Sequence, residues 1–229
     1  MSVFHSSKEW DESAVPLRSG DRARLPDPLR LVSGALTKLH SLWVSLTYPF
    51  ASKGRNPSIH YTWDLKRQLA HRVKIGDSVI IGKDVWLNVA RPFNENGGPV
   101  ITLDDGCVIG RRSQISAKNC IHIERDVLFG PSALAQDHSH AYDDLTRSIQ
   151  EQGVTEGGRI RIGEGSWIGH GAAIVCTNGE LTLGRNCIVG ANSVVLRSFP
   201  AYSVIMGNPA RVVKQFDPQK GAWFPASSD

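Results

Sequence analysis

The sequence predicts an all-β solenoid, a parallel β-helix with three short flat faces per coil, preceded by one amphipathic α-helix. Three observations predict it. Aliphatic residues recur at six-residue steps from residue 75 onward. Small or modest residues stand four places after them, and glycine repeatedly follows them. Ahead of these repeats, residues 28–48 carry apolar side chains at alternating three- and four-residue steps instead.

Residues 1–26 are polar, are punctuated by Pro16, Gly20 and Pro26, and read as an arm without a core of its own. A helical extension follows over 27–60. Asp27 can serve as N-cap, Pro28 suits the first helical position, and Pro49 ends the pattern. Between them Leu29, Val32, Leu36, Leu39, Trp43 and Leu46 form one stripe, while Arg30, Lys38, His40 and Ser41 take the other faces. This stripe is expected to pack on the main domain or on a partner subunit. The basic surroundings make peripheral contact with a membrane surface the alternative.

The main domain is assigned to 61–214, with a tail over 215–229. Its rhythm begins at Ile75, Ile81 and Leu87 and continues at Leu103, Ile109 and Ile115, then Ile123, Phe129 and Ala135. It resumes at Ile162, Ile168 and Ile174, and ends at Leu183, Val189, Val195 and Ala201. A period of six fits neither the 3.6 of a helix nor the 2 of a simple meander. It fits a solenoid in which each hexapeptide supplies one face and one corner. The aliphatic residue and the one four places on (Val79, Val85, Cys107, Val127) then point into a narrow prism. Glycine after the aliphatic residue suits backbone that turns tightly or approaches the next coil. About seven coils of roughly eighteen residues fit between residues 73 and 205.

A solenoid ejects insertions as loops. Residues 91–99 form one excursion, and 136–159 contain a longer one rich in Asp, His, Gln and Gly. A two-residue slip precedes Ile123 and a three-residue slip follows Ile174. Polar loops on a rigid scaffold are where chemistry is usually placed.

The composition is that of a globular chain: 229 residues, 41% apolar and 21% charged, are ample for a core. No apolar run approaches the ~18 residues of a spanning helix and no signal peptide opens the chain, so the expected location is cytoplasmic, at most at the inner face of the membrane. The four cysteines form no CxxC pair and read as buried, reduced thiols. Residues 1–74 hold twelve Lys+Arg against six Asp+Glu, so the overall charge of +4 is concentrated at the front. That suits anionic surfaces or phosphates. It lacks the aromatic interleaving of a nucleic-acid binder, so no nucleic acid is expected.

Four stretches carry a resemblance. Ile162-Gly-Glu-Gly-Ser-Trp-Ile-Gly169, Leu183-Gly-Arg-Asn-Cys-Ile-Val-Gly-Ala-Asn-Ser193, Gln136-Asp-His-Ser-His140 and Met206-Gly-Asn-Pro-Ala-Arg-Val-Val-Lys214 resemble the hexapeptide-repeat acyltransferases. The pattern is most similar to sugar and polysaccharide O-acetyltransferases of the galactoside/maltose type, and it spans residues 73–214. The resemblance implies a left-handed coil, against the usual right-handed crossover. It also implies a homotrimer with active sites between neighbouring prisms, and acetyl-CoA as the acyl donor with no metal.

Acyl transfer from a thioester to a hydroxyl needs a base titrating near neutrality and donors for the tetrahedral oxyanion. His138 matches the family's catalytic histidine. His140 is the second candidate base, and Asp137 is a candidate to orient an imidazole. The resemblance assigns the acyl-CoA arm to Trp167, Gly169, His170 and Ala191, although His170 replaces the small residue expected there. It assigns the nucleotide phosphates to Arg197, Arg211 and Lys214. Asp143, Asp144 and Arg147 in the long loop, with Ser116 and Asn119 one coil earlier, are the candidate acceptor contacts.

Several readings stay open at this point. N-acetylation of an amino sugar uses similar histidine chemistry, and serine and xenobiotic acetyltransferases share the fold. A β-helical metal site is a further alternative, because His122 and His140 are eighteen residues apart and could stack on successive coils. A non-enzymatic scaffold is the last.

Overall fold

The structure, a computed structural model, describes residues 28–92 and 97–226. The arm over 1–26, Asp27, and residues 93–96 of the excursion over 91–99 lie outside the described residues. By internal packing the chain divides into residues 1–35 and 36–229.

The second unit is a parallel β-helix whose strands stack into three faces. Face A rises from Ser52–Lys53 through Val73–Ile75, Ile101–Leu103, Cys120–Ile123 and Arg159–Ile162 to Glu180–Leu183. Face B rises from Ser58–Ile59 through Ile80–Ile81, Val108–Ile109, Leu128–Phe129, Trp167–Ile168 and Ile188–Val189 to Ser203–Gly207. Face C comprises Trp86–Val89, Gln114–Ala117, Leu134–Gln136, Ala173–Val175 and Val194–Val195. The chain visits A, B and C in turn.

The period of six explains the core. Residues in one phase of the repeat stand directly above one another, and strands of neighbouring coils lie only about 4.8 Å apart. On face B, Ile59, Ile81, Ile109, Phe129, Ile168, Val189 and Ile205 form one register column, every member essentially inaccessible to solvent. Each side chain therefore meets a like side chain above and below. Corners need backbone that few residues adopt: Gly171 (φ 66°) stacks on Asn192 (φ 56°). A β-carbon on Gly171 would lie 2.4 Å from the Asn192 Oδ1, so a side chain there would have to push the Asn192 side chain aside and would be strained at this positive φ.

The solenoid opens earlier than residue 61. Ser58–Ile59 pairs with Ile80–Ile81, and Ile59 and Leu65 are buried. This coil is hidden from the rhythm because Lys53, paired with Ile75, stands where face A otherwise has an aliphatic residue. Among the described residues no strand pairs beneath it, and its ammonium donates to the Ser45 carbonyl at 2.7 Å. Six of the seven levels of face A therefore fall in 73–205, counting the bridge of Leu183 to Phe199 as the last.

That bridge is the second correction. Phe199, not Ala201, covers Leu183, and Phe199 is buried; Ala201 sits in the corner against Gly184. The third concerns the tail. Ala210–Asp217 runs antiparallel to Ser203–Gly207, and Ala222–Pro225 runs antiparallel to Ala210–Asp217. Face B thus continues into the segment assigned to 215–229 as far as Pro225, and the boundary at 214 falls inside a strand.

Helix α1 (Pro28–Thr47) begins at the proline expected to open it. Over residues 36–47 its packed side is not the leucine stripe. Ser41 and Val44 are buried, while Leu36, Leu39, Trp43 and Leu46 are 44–76% exposed. The terminal coil presents unpaired strand amides, which a hydroxyl can satisfy and a leucine cannot. Ile59 N–H donates to Ser41 Oγ at 2.8 Å, and Trp63 Nε1–H donates to His40 Nε2 at 2.9 Å. Polarity thus faces the protein, and the apolar stripe faces outward.

All four cysteines are free. Cys107, Cys176 and Cys187 are buried as expected, whereas Cys120 is half-buried. Burial pushes the Cys107 thiol up to about 12, which keeps it a neutral packing group.

Candidate active site

The site begins with the two-residue slip before Ile123. The extra residues widen the corner at 118–120 and turn three consecutive amides toward one point. Asp137, from the coil above, fills that point. Its Oδ1 accepts Lys118 N–H at 2.7 Å, and its Oδ2 accepts the N–H groups of Asn119 and Cys120 at 2.9 Å each. The side chain is wholly buried.

His138 is held by that carboxylate. Its Nδ1 lies 2.9 Å from Asp137 Oδ1, and its side chain is 8% exposed. With Asp137 accepting, Nδ1 carries the proton and Nε2 is left as the basic nitrogen. Backbone contacts fix both residues: Gln136 Nε2–H donates to the His138 carbonyl at 2.7 Å, and Gly158 N–H donates to the Asp137 carbonyl at 2.6 Å. Adjacent side chains usually diverge along a strand, but these two lie just past the strand end at Gln136 and converge.

The long loop is a hairpin closed over this pair. Ser139 and Thr155 exchange two hydrogen bonds, Ala141 N–H donates to the Gly153 carbonyl, and a short helix α2 (Ile149–Gln152) lies near the tip. Lys118 Nζ donates to the Thr155 carbonyl at 2.6 Å, and Asn119 Nδ2 donates to the Glu156 carbonyl at 2.8 Å. One corner therefore positions both the carboxylate and the returning strand of the loop.

His138, Ser139 and His140 border an open cleft of about 960 Å³. Its floor includes a polar column on face C: Asn88, Ser116 and Gln136 stand in register, and Asn88 Nδ2 donates to Ser116 Oγ at 2.9 Å. Trp86, Lys66 and Gln68 complete the lower wall.

Of the residues singled out in the sequence, His138, His140 and Ser116 line this cleft. Asp137 lies behind His138. Asn119 is spent on the loop base, a positioning task rather than a contact in the cleft. Asp143, Asp144 and Arg147 are exposed along the hairpin and do not line the cleft. Asp144 is engaged locally, accepting from the Thr146 amide and hydroxyl, which hold its carboxyl below the usual range; Arg147 donates to the Glu151 carbonyl. His122 lies outside the cleft on face A, with Nε2 2.6 Å from Asp104 Oδ2, so it does not stack with His140. Asn88 and Gln136 were not singled out. Their signal was available: each directly follows an inward aliphatic or alanine in the repeat, at the position that Ser116 occupies.

Elsewhere, Gly169 and Ala191 stack on successive coils; a β-carbon on Gly169 would lie 2.7 Å from the Ala191 amide nitrogen. Close stacking alone explains that glycine. Trp167 is half-exposed on face B, and His170 is exposed at the next corner. Arg197 and Arg211 line one notch of about 300 Å³, which Lys214, exposed on the same antiparallel strand as Arg211, does not line.

A stacked hexapeptide coil with an acid-anchored histidine at the mouth of a polar cleft defines a β-helical protein with a histidine-centred site. No family model matches the chain. It is 31% identical over 162 residues to a protein of Mycobacterium tuberculosis named as a probable acetyltransferase, covering 70% of this chain and 48% of that one. It is 26% identical over 152 residues to a protein of Escherichia coli provisionally named lipopolysaccharide biosynthesis O-acetyl transferase, covering 64% of this chain and 76% of that one. Among solved structures, an N-acyltransferase from Bacillus cereus in complex with dTDP and coenzyme A superposes with a TM-score of 0.61 at 19% identity, covering 79% of this chain and 90% of that one; this likeness shows the fold. The chain spans about half the length of the mycobacterial relative. Its likeness is to proteins named as acetyltransferases, over the residues that carry the stacked repeats.

Proposed function

We propose that this protein transfers an acetyl group from acetyl-CoA to a hydroxyl of a saccharide or polysaccharide precursor, with His138 as general base. One observation carries the reading: Asp137, held by three backbone amides, holds His138 Nδ1 and so leaves Nε2 as a base bordering a polar cleft. In the reaction Nε2 takes the acceptor proton while the acceptor oxygen bonds to the thioester carbonyl carbon. The tetrahedral adduct then collapses, the C–S bond breaks, and the imidazolium returns its proton to the departing CoA thiolate. Asp137 is the positioning residue that stabilises the imidazolium, and Asn88, Ser116 and Gln136 offer hydrogen bonds to acceptor hydroxyls.

Arg197 and Arg211 flank a notch suited to the phosphates of the donor, with Lys214 a further cation on the same strand as Arg211; Trp167, Gly169, His170 and Ala191 border the path of its arm. The assembly that brings these parts together is a trimer with left-handed coils. Its support is an outward apolar column on face B, in which Ile80, Leu128 and Trp167 are 45%, 46% and 50% exposed. Asp143, Asp144 and Arg147 then meet the acceptor only across a subunit boundary. The sugar O-acetyl reading also agrees with the name of the Escherichia coli relative.

The test is thiol release from acetyl-CoA against a panel of hydroxyl and amino sugars. His138→Ala should lower kcat by about 10²–10⁴-fold while CoA binding, measured by calorimetry, is retained. Near-normal turnover would move the base to His140, and activity confined to amino sugars would make the acceptor a nitrogen. Failure of the wild type to bind CoA thioesters would overturn the enzyme reading.

A further inference from the structure

Beyond this reading, the outer face of helix α1 and the groove beside it call for a partner. Over residues 36–47 the helix turns Leu36, Leu39, Leu42, Trp43 and Leu46 away from the β-helix, 44–76% exposed. At 3.6 residues per turn they occupy roughly 120° of arc. Monomeric soluble proteins rarely leave a contiguous apolar surface of this kind uncovered.

The flank of the same patch is cationic. A groove of about 790 Å³ between the helix and the first coil is lined by Lys38, Lys53 and Arg55, with the hydroxyls of Ser41 and Ser45 and the edge of Leu42. Arg55 is paired with Asp77 at 2.7 Å, yet its side chain remains 87% exposed. Across residues 36–74 seven Lys+Arg stand against a single acidic residue, Asp64. An apolar face bordered by cations and hydroxyls matches a surface that is apolar within and anionic at its rim.

We propose that this face docks on an anionic lipid bilayer, with the leucines and Trp43 entering the interface and a lipid headgroup seated between Lys38, Lys53 and Arg55. The helix lies in the plane of the membrane, for no described helix is long and apolar enough to cross one. A second copy is the weaker occupant. A two-fold contact sets the same patch against itself, which would bring these cations toward their own counterparts.

The experiment is flotation of the full chain with vesicles of phosphatidylcholine alone and of an equimolar mixture with phosphatidylglycerol. The wild type should float with the mixed vesicles and be released by salt. Leu39→Asp/Leu46→Asp should weaken that binding about tenfold or more, and Lys38→Glu about fivefold. Both variants should keep wild-type far-ultraviolet circular dichroism and thiol-release turnover on a soluble acceptor, since none of these residues lines the His138 cleft. Failure of the wild type to float with anionic vesicles would overturn the proposal. So would a fall in oligomeric mass on Leu39→Asp/Leu46→Asp, which would assign the face to a second copy.

Discussion

Faces A and B are built from the same repeat and differ most on the outside. Inside, the stacked coils of both carry mainly isoleucine, leucine and valine in identical phase, with Phe129 in the column of face B and Lys53 and Phe199 at the two ends of face A. Outside, face A turns Lys74, Thr102, His122, Arg161 and Thr182 to solvent in one register column, with Asp104 accepting from His122 and paired to Lys74. Face B turns outward Ile80, Val108, Leu128, Trp167, Ile188 and Val204. Stacking dictates the inner column, because every coil must cover the one below. Nothing in the solenoid itself dictates the outer one. A polar column therefore reports water, and an apolar column reports something that takes the place of water.

The largest effect should come from breaking the inner half of this comparison. Phe129 is fully buried and its neighbour Leu128 is 46% exposed. Phe129→Ala should cost about 3–5 kcal/mol of unfolding free energy, from lost transfer energy and the cavity left behind. Leu128→Ala should cost within about 0.5 kcal/mol in the isolated subunit. Urea denaturation at several protein concentrations separates the two, since only an assembly contribution varies with concentration. Equal losses that do not vary with concentration would show that the outward column is not an interface.

The same two faces explain what the sequence could and could not reveal. Inward positions were legible because they obey one period: Ile81, Ile109 and Ile168 can be placed from spacing alone. Lys53 and Phe199 escaped because both lie at ends of the solenoid, where one neighbouring coil is missing or shortened and the period need not hold. The packed side of α1 escaped for a related reason. Amphipathicity reports which side is apolar, not which side meets the protein, and here the terminal coil called for the Ser41 hydroxyl. At the site, His138 was marked by its motif. Its link to Asp137 depends on a corner nineteen residues earlier than Asp137, at Lys118, and only three-dimensional stacking joins the two.

An intermediate effect should follow from charging the outer columns. Leu128→Asp/Trp167→Asp on face B should weaken the proposed subunit association by about 30-fold or more, as losing an aromatic anchor at an interface does. Thr102→Asp/Thr182→Asp on face A should leave association unchanged. Sedimentation analysis of both variants provides the measurement. A change of mass on face A alone would reverse the assignment of the faces.

The smallest effect should come from the ion pairs of face A. Arg161 donates from Nε to Glu124 Oε1 at 2.5 Å, and Glu124 Oε2 also accepts the Glu164 amide at 2.9 Å. The Arg161 side chain is 62% exposed, so water screens much of the attraction, and holding a long side chain in one rotamer offsets part of the rest. Arg161→Ala should therefore cost at most about 1 kcal/mol, less at high salt. Glu124→Gln tests the other partner, because it preserves the acceptor for the Glu164 amide and removes only the charge. If either change cost as much as Phe129→Ala, the outer surface of face A would be structural rather than merely solvated, and the contrast with face B would no longer separate water from a partner.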